Sequence, residues 1–246
     1  MTIVSTVAHY DALLAPVYEW MCGGIAQALQ DGRADVAPFC PGRGLAVDLG
    51  AGFGRHAIPL AEAGYDVVAV DQSRALLQAL AHNAGDLAIR TVEAALLDFR
   101  SHVDRPAALI LCMGDTLCHL ASREEVRRLV RHAAAALDPG GAFIATFRSY
   151  GDLPRGSRRI VLVRGDATRI LTCMLEGEAE HVAVHDLLHE RAPEGWGLRV
   201  SAYRKARIDP VELLQAATEA GLDARLGDGP KGFTTFVARK EGSLRS

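Results

Sequence analysis

Three glycines at alternate positions, Gly50, Gly52 and Gly54, stand between two aspartates, Asp48 and Asp71. Alternate glycines allow positive φ angles and let a ligand approach the backbone closely. The segment that follows them has helical periodicity, and the first turn of a helix offers unpaired N–H groups. An aspartate at the end of the next predicted strand is placed to accept hydrogen bonds from a ribose. The pattern therefore predicts a site for a nucleotide-like ligand.

The residue types around these glycines discriminate between two classes of cofactor. Dinucleotide sites use G-x-G-x-x-G and place a pyrophosphate at the helix N-terminus. Here Arg55 occupies the place of the third glycine, and Asp48 suits a ligand that carries an ammonium better than one that carries phosphates. S-adenosylmethionine has an ammonium, a sulfonium and a ribose but no phosphate. The residues favour it, with a nicotinamide dinucleotide as the alternative.

The run DLGAGFG at 48–54, followed by VVAVD at 67–71, resembles motif I and the acidic position after it in class I S-adenosylmethionine-dependent methyltransferases. The resemblance implies that the glycine turn wraps the methionine part of the cofactor, that Asp71 holds the ribose, and that Asp48 organises the loop and the amino group. The usual acid after the third strand is replaced by Ala95, so backbone groups near Ala95 and Leu96 are expected to hold the adenine. The expected cofactor-binding residues are Tyr18, Asp48, Gly50, Ala51, Gly52, Gly54, Asp71, Gln72, Ala95, Leu96 and Cys112.

The run CMGDTLCHL at 112–120 is similar to the corresponding segment of glycine/sarcosine-type N-methyltransferases. Nucleic-acid amine methyltransferases carry an Asn/Asp-Pro-Pro-aromatic motif there, which this sequence lacks. His119 is a candidate general base, because imidazole titrates near neutrality, and Asp115 could orient an amine. Arg148 could clamp a carboxylate, and Tyr150 follows the same predicted strand. The alternatives are packing for His119, helix capping for Asp115 and a solvated loop for Arg148.

His185 and His189 lie four residues apart, a spacing that shares one face of either a helix or a strand. A zinc peptidase would need H-E-x-x-H or H-x-x-E-H, and Leu188 occupies the glutamate position of the second pattern. We expect no metal here and expect these residues to line or brace an inserted sheet.

Short apolar runs alternate with helical periodicity, which is typical of a doubly wound α/β fold with a parallel sheet. We predict a Rossmann-like, seven-stranded methyltransferase sheet, with an antiparallel β insertion acting as a lid after strand five. Strands are expected at 44–48, 65–70, 87–92, 108–113, 142–147, 223–227 and 233–239, and helices at 11–30 (broken near Pro16 and Gly23), 54–64, 74–84, 122–137 and 209–220. The predicted domains are 1–149 with 208–246, and 150–207 for the lid and substrate region.

Composition limits the function classes. The 246 residues carry a net charge of -3, which argues against long nucleic acid as a partner. Five cysteines without a C-x-x-C pair favour a reducing compartment. No apolar run is long enough for a membrane span and no signal peptide is evident, so we expect a cytoplasmic protein with no membrane partner.

These features together predict a methyltransferase that acts on a small molecule. The preferred hypothesis is N-methylation of an amino acid or small amine. The alternatives are O-methylation of a small acid or alcohol, a nicotinamide-dependent oxidoreductase, and a non-catalytic cofactor-binding protein. The expected cofactor is S-adenosylmethionine and the expected partner a small-molecule substrate. The assembly considered is a homodimer, although the sequence does not specify the oligomeric state.

Overall fold

The centre of the protein is a mixed β-sheet. In the computed structural model, which describes residues 2–40, 43–151, 153 and 155–242, seven strands form this sheet. In chain order they are β1 (Leu45–Leu49), β2 (Asp66–Asp71), β3 (Ile89–Glu93), β4 (Ala107–Cys112) and β5 (Leu137–Phe147), followed after an insertion by the two strands of the C-terminal hairpin, Leu222–Asp228 and Thr234–Lys240. The first five strands are parallel, and the hairpin adds to β5 in antiparallel fashion. The predicted Rossmann-like methyltransferase sheet is confirmed.

The order across this sheet is β3, β2, β1, β4, β5, Thr234–Lys240 and Leu222–Asp228. The chain leaves β1 toward one side, to β2 and β3, and then returns to place β4 on the other side. In open α/β sheets, ligands bind beyond the carboxyl ends of the strands at this switch point. The loop after β1 is the glycine turn, so the topology brings the predicted site to the expected edge.

Helices cover both faces of the sheet, and their ends follow local sequence signals. They are α1 (Thr6–His9), α2 (Tyr18–Met21), α3 (Ile25–Val36), α4 (Ala57–Glu62), α5 (Arg74–Ala84), α6 (Arg123–Ala136) and α7 (Pro210–Glu219). Ser122 caps α6 by accepting a hydrogen bond from the N–H of Glu125 at 3.2 Å, and Asp209 caps α7 in the same way. Buried apolar side chains such as Leu49, Val70 and Phe143 fill the space between helices and sheet.

The N-terminal segment differs from the single broken helix predicted at 11–30. It starts earlier, at Thr6, and passes through a π-helix at Tyr10–Leu14 and a 3-10 turn at Ala15–Val17 before α2. Pro16 lies in that 3-10 turn, and the segment breaks again where Gly23 and Gly24 take φ of 96° and 87°. The breaks lie where the sequence predicts them. The earlier start is capped by Ser5, whose hydroxyl accepts the N–H of Ala8 at 3.2 Å, a local signal that the prediction missed.

Between β5 and α7 the chain forms a separate antiparallel sheet, four strands over the described residues. Its strands are β6 (Ile160–Gly165), β7 (Arg169–Gly177), β8 (His181–Ala192) and β9 (Gly195–Ala206), in that order. We call it the inserted sheet; it confirms the predicted antiparallel layer, whereas the boundaries at 149/150 and 207/208 stay a prediction. The N-terminus attaches to its β9 edge, where the N–H of Val4 donates to the carbonyl of Ala202 at 2.9 Å. Within the described part of the chain, no helix has the length and apolar character to cross a membrane.

Candidate functional site

The glycine turn after β1 is held by Asp71. Gly50, Gly52 and Gly54 have φ of 75°, 54° and 100°, which only glycine adopts without strain. One carboxylate oxygen of Asp71 accepts the N–H of Gly52 at 2.9 Å, and the other accepts the N–H of Ser73 at 2.8 Å. The acid at the end of β2 therefore ties the turn to the start of α5.

Gly50 is constrained by space as well as by φ. A Cβ at this position would lie 2.4 Å from Cγ2 and 2.7 Å from Oγ1 of Thr116. We expect Gly50→Ala to destabilise the protein by roughly 2–4 kcal/mol, from the left-handed backbone and the clash together, and to weaken binding of S-adenosylhomocysteine. Chemical denaturation and calorimetric titration measure the two effects.

Gly64 provides the matched control for this substitution. It has φ of 91°, but an added Cβ would have no neighbour within 4 Å. Gly64→Ala should show only the backbone cost, roughly 1–2 kcal/mol, with unchanged ligand affinity. Equal losses of stability and of affinity in both variants would contradict the crowding by Thr116.

Asp48 is buried near the end of β1 and forms no ion pair with the described residues. It is 1% exposed, and neither carboxylate oxygen has a hydrogen-bond partner of normal geometry among the described residues. Burial raises its pKa to about 6, although the neighbouring His56 opposes this effect. An unpaired buried carboxylate is costly, and its negative charge behind the glycine turn favours a bound ligand that carries an ammonium over one that carries phosphates, without direct contact because Asp48 is buried. The residues present therefore fit S-adenosylmethionine.

A smaller and a larger cavity adjoin each other at the glycine turn. The smaller, about 70 Å³, is bordered by Asp71, Gln72 and Leu96, and the larger, about 750 Å³, extends under the inserted sheet. The residues that line both cavities are Tyr10, Tyr18, Gly50, Gly52 and Thr116. The smaller cavity is too small for a whole cofactor, so a ligand that begins there would continue past these shared residues into the larger cavity.

Most of the expected cofactor-binding residues line these cavities. Tyr18, Gly50 and Gly52 line both, Asp71, Gln72 and Leu96 the smaller, and Ala51 the larger. Four do not line either: Asp48, Gly54, Ala95 and Cys112. Gly54 instead allows close packing, since a Cβ there would lie 2.8 Å from Cδ1 of Ile58.

Asp115 is the centre of a buried polar cluster in the larger cavity. It accepts hydrogen bonds from the backbone N–H of Arg148 at 2.8 Å and the hydroxyl of Tyr150 at 2.9 Å, and the ammonium of Lys205 lies 2.5 Å from Oδ2. Burial alone would raise the pKa of Asp115, but the charge of Lys205 and these hydrogen bonds hold it at about 2. Asp115 does not cap a helix with its side chain, and it fastens the end of β5 and strand β9 to the loop after β4.

His119 lies on the wall of the smaller cavity, among aromatic rings. Its ring centroid is 5.4 Å from that of Tyr10 and 5.8 Å from that of Tyr203, and its Nε2 is buried without a hydrogen-bond partner among the described residues. Burial, reinforced by the nearby positive charge of Lys205, lowers the pKa of His119 to about 3. The imidazole is therefore neutral at physiological pH.

Arg148 and Tyr150 both line the larger cavity, as their place after β5 suggests. The guanidinium of Arg148 lies 3.9 Å from the ring centre of Phe233, and its side chain remains 44% exposed. His185 pairs with Glu176 at 3.2 Å in the inserted sheet. Over the residues that the structure describes, no group of three His, Cys, Asp or Glu side chains could hold a metal ion.

Sequence reasoning did not assign Lys205, Asp186, His9 or Thr116 to the site. Lys205 and Tyr203 alternate along one strand, a pattern that fits a pocket and a solvated face equally well. His9 is 0% exposed and its Nε2 lies 2.9 Å from Oδ2 of Asp186, a residue that lines the larger cavity. These pairs join distant segments of chain, and no local signal could have found them.

Comparison with known proteins supports the same cofactor. A family described as a methyltransferase domain matches residues 46–141. The cypemycin N-terminal methyltransferase of a Streptomyces species is 36% identical over an alignment of 184 residues. The alignment covers 68% of this chain and 72% of that protein. A glycine/sarcosine N-methyltransferase of Aphanothece halophytica is 32% identical over 42% of this chain, which spans only 40% of that relative's length.

A solved structure has the same fold. The sugar N-methyltransferase of Streptoalloteichus sp. ATCC 53650 superposes with a TM-score of 0.74 at 21% identity, covering 98% of this chain and 99% of its own. Three observations indicate the same family: the identity over most of the length of one relative, the matched domain, and the fold with its glycine turn. The chain belongs to the class I S-adenosylmethionine-dependent methyltransferases.

Proposed function

We propose that the protein transfers a methyl group from S-adenosylmethionine to an amine nitrogen of a molecule that occupies the larger cavity. The observation that carries this proposal is the junction of the two cavities at Tyr10, Tyr18 and the glycine turn. Methyl transfer is an in-line displacement, which needs a nucleophile held close to the methyl group and aligned with it. S-adenosylmethionine, when bound, supplies the electrophilic methyl group.

The character of the larger cavity supports an acceptor bigger than a free glycine. A volume of about 750 Å³ lies within the range of cavities that hold drug-sized ligands. The curated relatives named above are a glycine/sarcosine N-methyltransferase and a cypemycin N-terminal methyltransferase. We propose an amine acceptor, an amino acid or a larger small molecule, with O-methylation of an acid or alcohol as the alternative. Family membership removes the nicotinamide alternative.

Within this proposal the side chains have separate tasks. A group with a pKa of about 3 is a weak base at neutral pH, so His119, on the wall of the smaller cavity, would not take up the proton of the acceptor and would shape the junction between the two cavities. Asp115 and Tyr150 would keep the cavity wall in shape as positioning residues. Arg148, with its guanidinium half exposed at the cavity, would bind an acidic group of the acceptor.

The inserted sheet would act as lid and substrate platform, since it forms one wall of the larger cavity. Excluding water there strengthens every polar interaction with the acceptor. Small-molecule substrates are the proposed partners, and the homodimer and the cytoplasmic location stay predictions.

The test uses the purified protein with methyl-labelled S-adenosylmethionine and a library of amines paired with alcohols of matched shape. We expect label to move to amines, together with saturable binding of S-adenosylhomocysteine in calorimetric titration. Binding of the cofactor with no turnover across the library would favour the non-catalytic alternative. Transfer to alcohols alone would replace N-methylation by O-methylation.

A further inference from the structure

The face of the inserted sheet that lines the larger cavity is largely apolar. Residues directly opposite each other on antiparallel strands share a face, and the register aligns Cys173 of β7 with Asp186 of β8. The apolar residues of the inserted sheet at this cavity are Val161, Leu162, Val163, Leu171, Cys173, Leu175, Val184 and Tyr203. Among the described residues of the inserted sheet that line the cavity, Asp186 is the one acid.

Asp186 is held rigidly from behind. Its Oδ2 lies 2.9 Å from Nε2 of His9, and Nδ1 of His9 lies 2.8 Å from the hydroxyl of Ser201. The His9 ring is also stacked on Tyr203, with 4.2 Å between ring centroids. The contacts with Ser201 and Tyr203 hold the His9 ring in place, and His9 in turn holds one oxygen of the Asp186 carboxylate.

The second oxygen of Asp186 is available to a ligand. It accepts no hydrogen bond from the residues that the structure describes, and Asp186 lines the cavity although it is only 5% exposed. The other buried acid of this cavity, Asp115, is fully engaged by Lys205, Tyr150 and the backbone of Arg148. Asp31 and Asp35 also line this cavity, but each is paired with a charged side chain, Lys231 at 2.7 Å and Arg55 at 2.7 Å respectively. Asp186, whose partner is His9, is therefore the carboxylate of this cavity that can receive a cationic group.

Asp186 also lies beside the junction of the two cavities. Tyr203, stacked on the His9 ring that holds Asp186, has its ring centroid 6.3 Å from that of Tyr10, a residue that lines both cavities. A carboxylate next to tyrosine ring faces favours an ammonium or amine through charge, hydrogen bonding and cation–π attraction. An alcohol of the same shape gains less from the same groups.

We propose that Asp186, positioned by His9, binds the amine of the acceptor and makes the site select amines over alcohols of the same shape. This inference rests on the proposed function, because it concerns the acceptor of that reaction. An alcohol would leave the buried, preoriented carboxylate of Asp186 without a cationic partner. This cost disfavours binding of alcohols relative to amines of the same shape.

The experiment measures binding of phenethylamine and of 2-phenylethanol to the protein saturated with S-adenosylhomocysteine, by calorimetric titration. The two probes share an apolar body that suits the inserted sheet and differ in the amine. We expect the wild type to prefer the amine by at least about tenfold, and Asp186→Asn to lose about tenfold in affinity for the amine while the alcohol is unaffected. His9→Phe, which keeps a ring against Tyr203, should lower the preference to an intermediate value.

Cys173→Ser is the matched control, since Cys173 lies opposite Asp186 on the same cavity wall. It should keep the wild-type preference. Equal binding of the two probes by the wild type overturns the inference whatever the variants do, as does an unchanged preference in a folded Asp186→Asn variant. Failure of the protein to bind S-adenosylhomocysteine or to methylate any amine would instead overturn the proposed function.

Discussion

Replacing Lys205 by methionine is expected to lower the free energy of unfolding by roughly 3–5 kcal/mol at neutral pH, the usual cost of breaking a buried ion pair. The substitution leaves Asp115, 2% exposed, without the ammonium that lies 2.5 Å from its Oδ2. The remaining hydrogen bonds from Arg148 and Tyr150 offset only part of that loss. Urea unfolding measures the change.

The pH dependence of the Lys205→Met variant should differ from that of the wild type. In the wild type the pKa of Asp115 is about 2, below the ordinary value of 3.8, so its ionised form stabilises the fold above about pH 4 and that contribution is lost as the pH falls toward 2. Without Lys205, burial dominates and the pKa of Asp115 rises. The defect should then be largest at neutral pH and shrink in acid.

Lys231→Met is the control for Lys205→Met. Lys231 also pairs with an aspartate, Asp31, at 2.7 Å, but its side chain is 63% exposed. An exposed pair contributes about 0–1 kcal/mol, so this variant should be nearly as stable as the wild type. Adding Asp115→Asn to Lys205→Met should recover part of the lost stability at neutral pH. If Lys205→Met and Lys231→Met lowered the free energy of unfolding by similar amounts, burial of the Lys205–Asp115 pair would not add to stability, and the prediction would be wrong.

Asp48→Asn is expected to stabilise the ligand-free protein and weaken its binding of S-adenosylhomocysteine. The pKa of Asp48 is about 6 in the folded protein and near 3.8 in the unfolded chain. Ionisation of Asp48 therefore lowers the free energy of unfolding above about pH 4, and this loss of stability is complete above pH 6. The neutral amide should therefore raise the free energy of unfolding by roughly 1–3 kcal/mol at pH 7. Thermal or urea unfolding and calorimetric titration report the two opposite effects.

The pH series distinguishes this cause from a general packing change. Between pH 7 and pH 5 the ligand-free wild type should gain stability relative to Asp48→Asn, since protons bind the folded form more tightly. Asp86→Asn, at an exposed turn, should leave the pH dependence as it is in the wild type. A loss of stability in Asp48→Asn at pH 7 would contradict the destabilising effect of burying its charge. Tighter ligand binding would contradict the expected attraction between Asp48 and the ammonium of the cofactor.

The parts of this protein that the sequence predicts are those set by local signals. The limits of α5 at 74–84, the helix predicted at 122–137 and the strand next to Asp71 all follow from periodicity over a few residues. The antiparallel layer of the inserted sheet was likewise predicted from apolar runs and turns at 158–207, which indicated three or four strands where the described residues form four. Strand β5 begins at Leu137, directly after helix α6. It therefore includes the Asp-Pro-Gly-Gly segment at 138–141, which was predicted to separate the helix from the strand.

The chemistry of individual side chains depended on burial, which the sequence does not state. His119 was chosen as a base for the ordinary pKa of imidazole, but its enclosure by Tyr10, Tyr203 and Lys205 makes it a weak base. Asp115 was expected to cap a helix or orient an amine, and instead it is saturated by groups from β5 and β9. Both outcomes follow from tertiary packing, since desolvation and charge come from neighbours distant in the chain.

The sequence by itself determined the glycine turn, its two acids and the order of the elements that present them, because each rests on residues close together in the chain. Only the tertiary structure decided that Lys205 meets Asp115 across 90 residues and that His9 meets Asp186 across 177. It also decided which face of the inserted sheet lines the cavity. Alternation along a strand defines two faces but does not say which one is covered, and that choice is made only when the sheet packs against the rest of the fold.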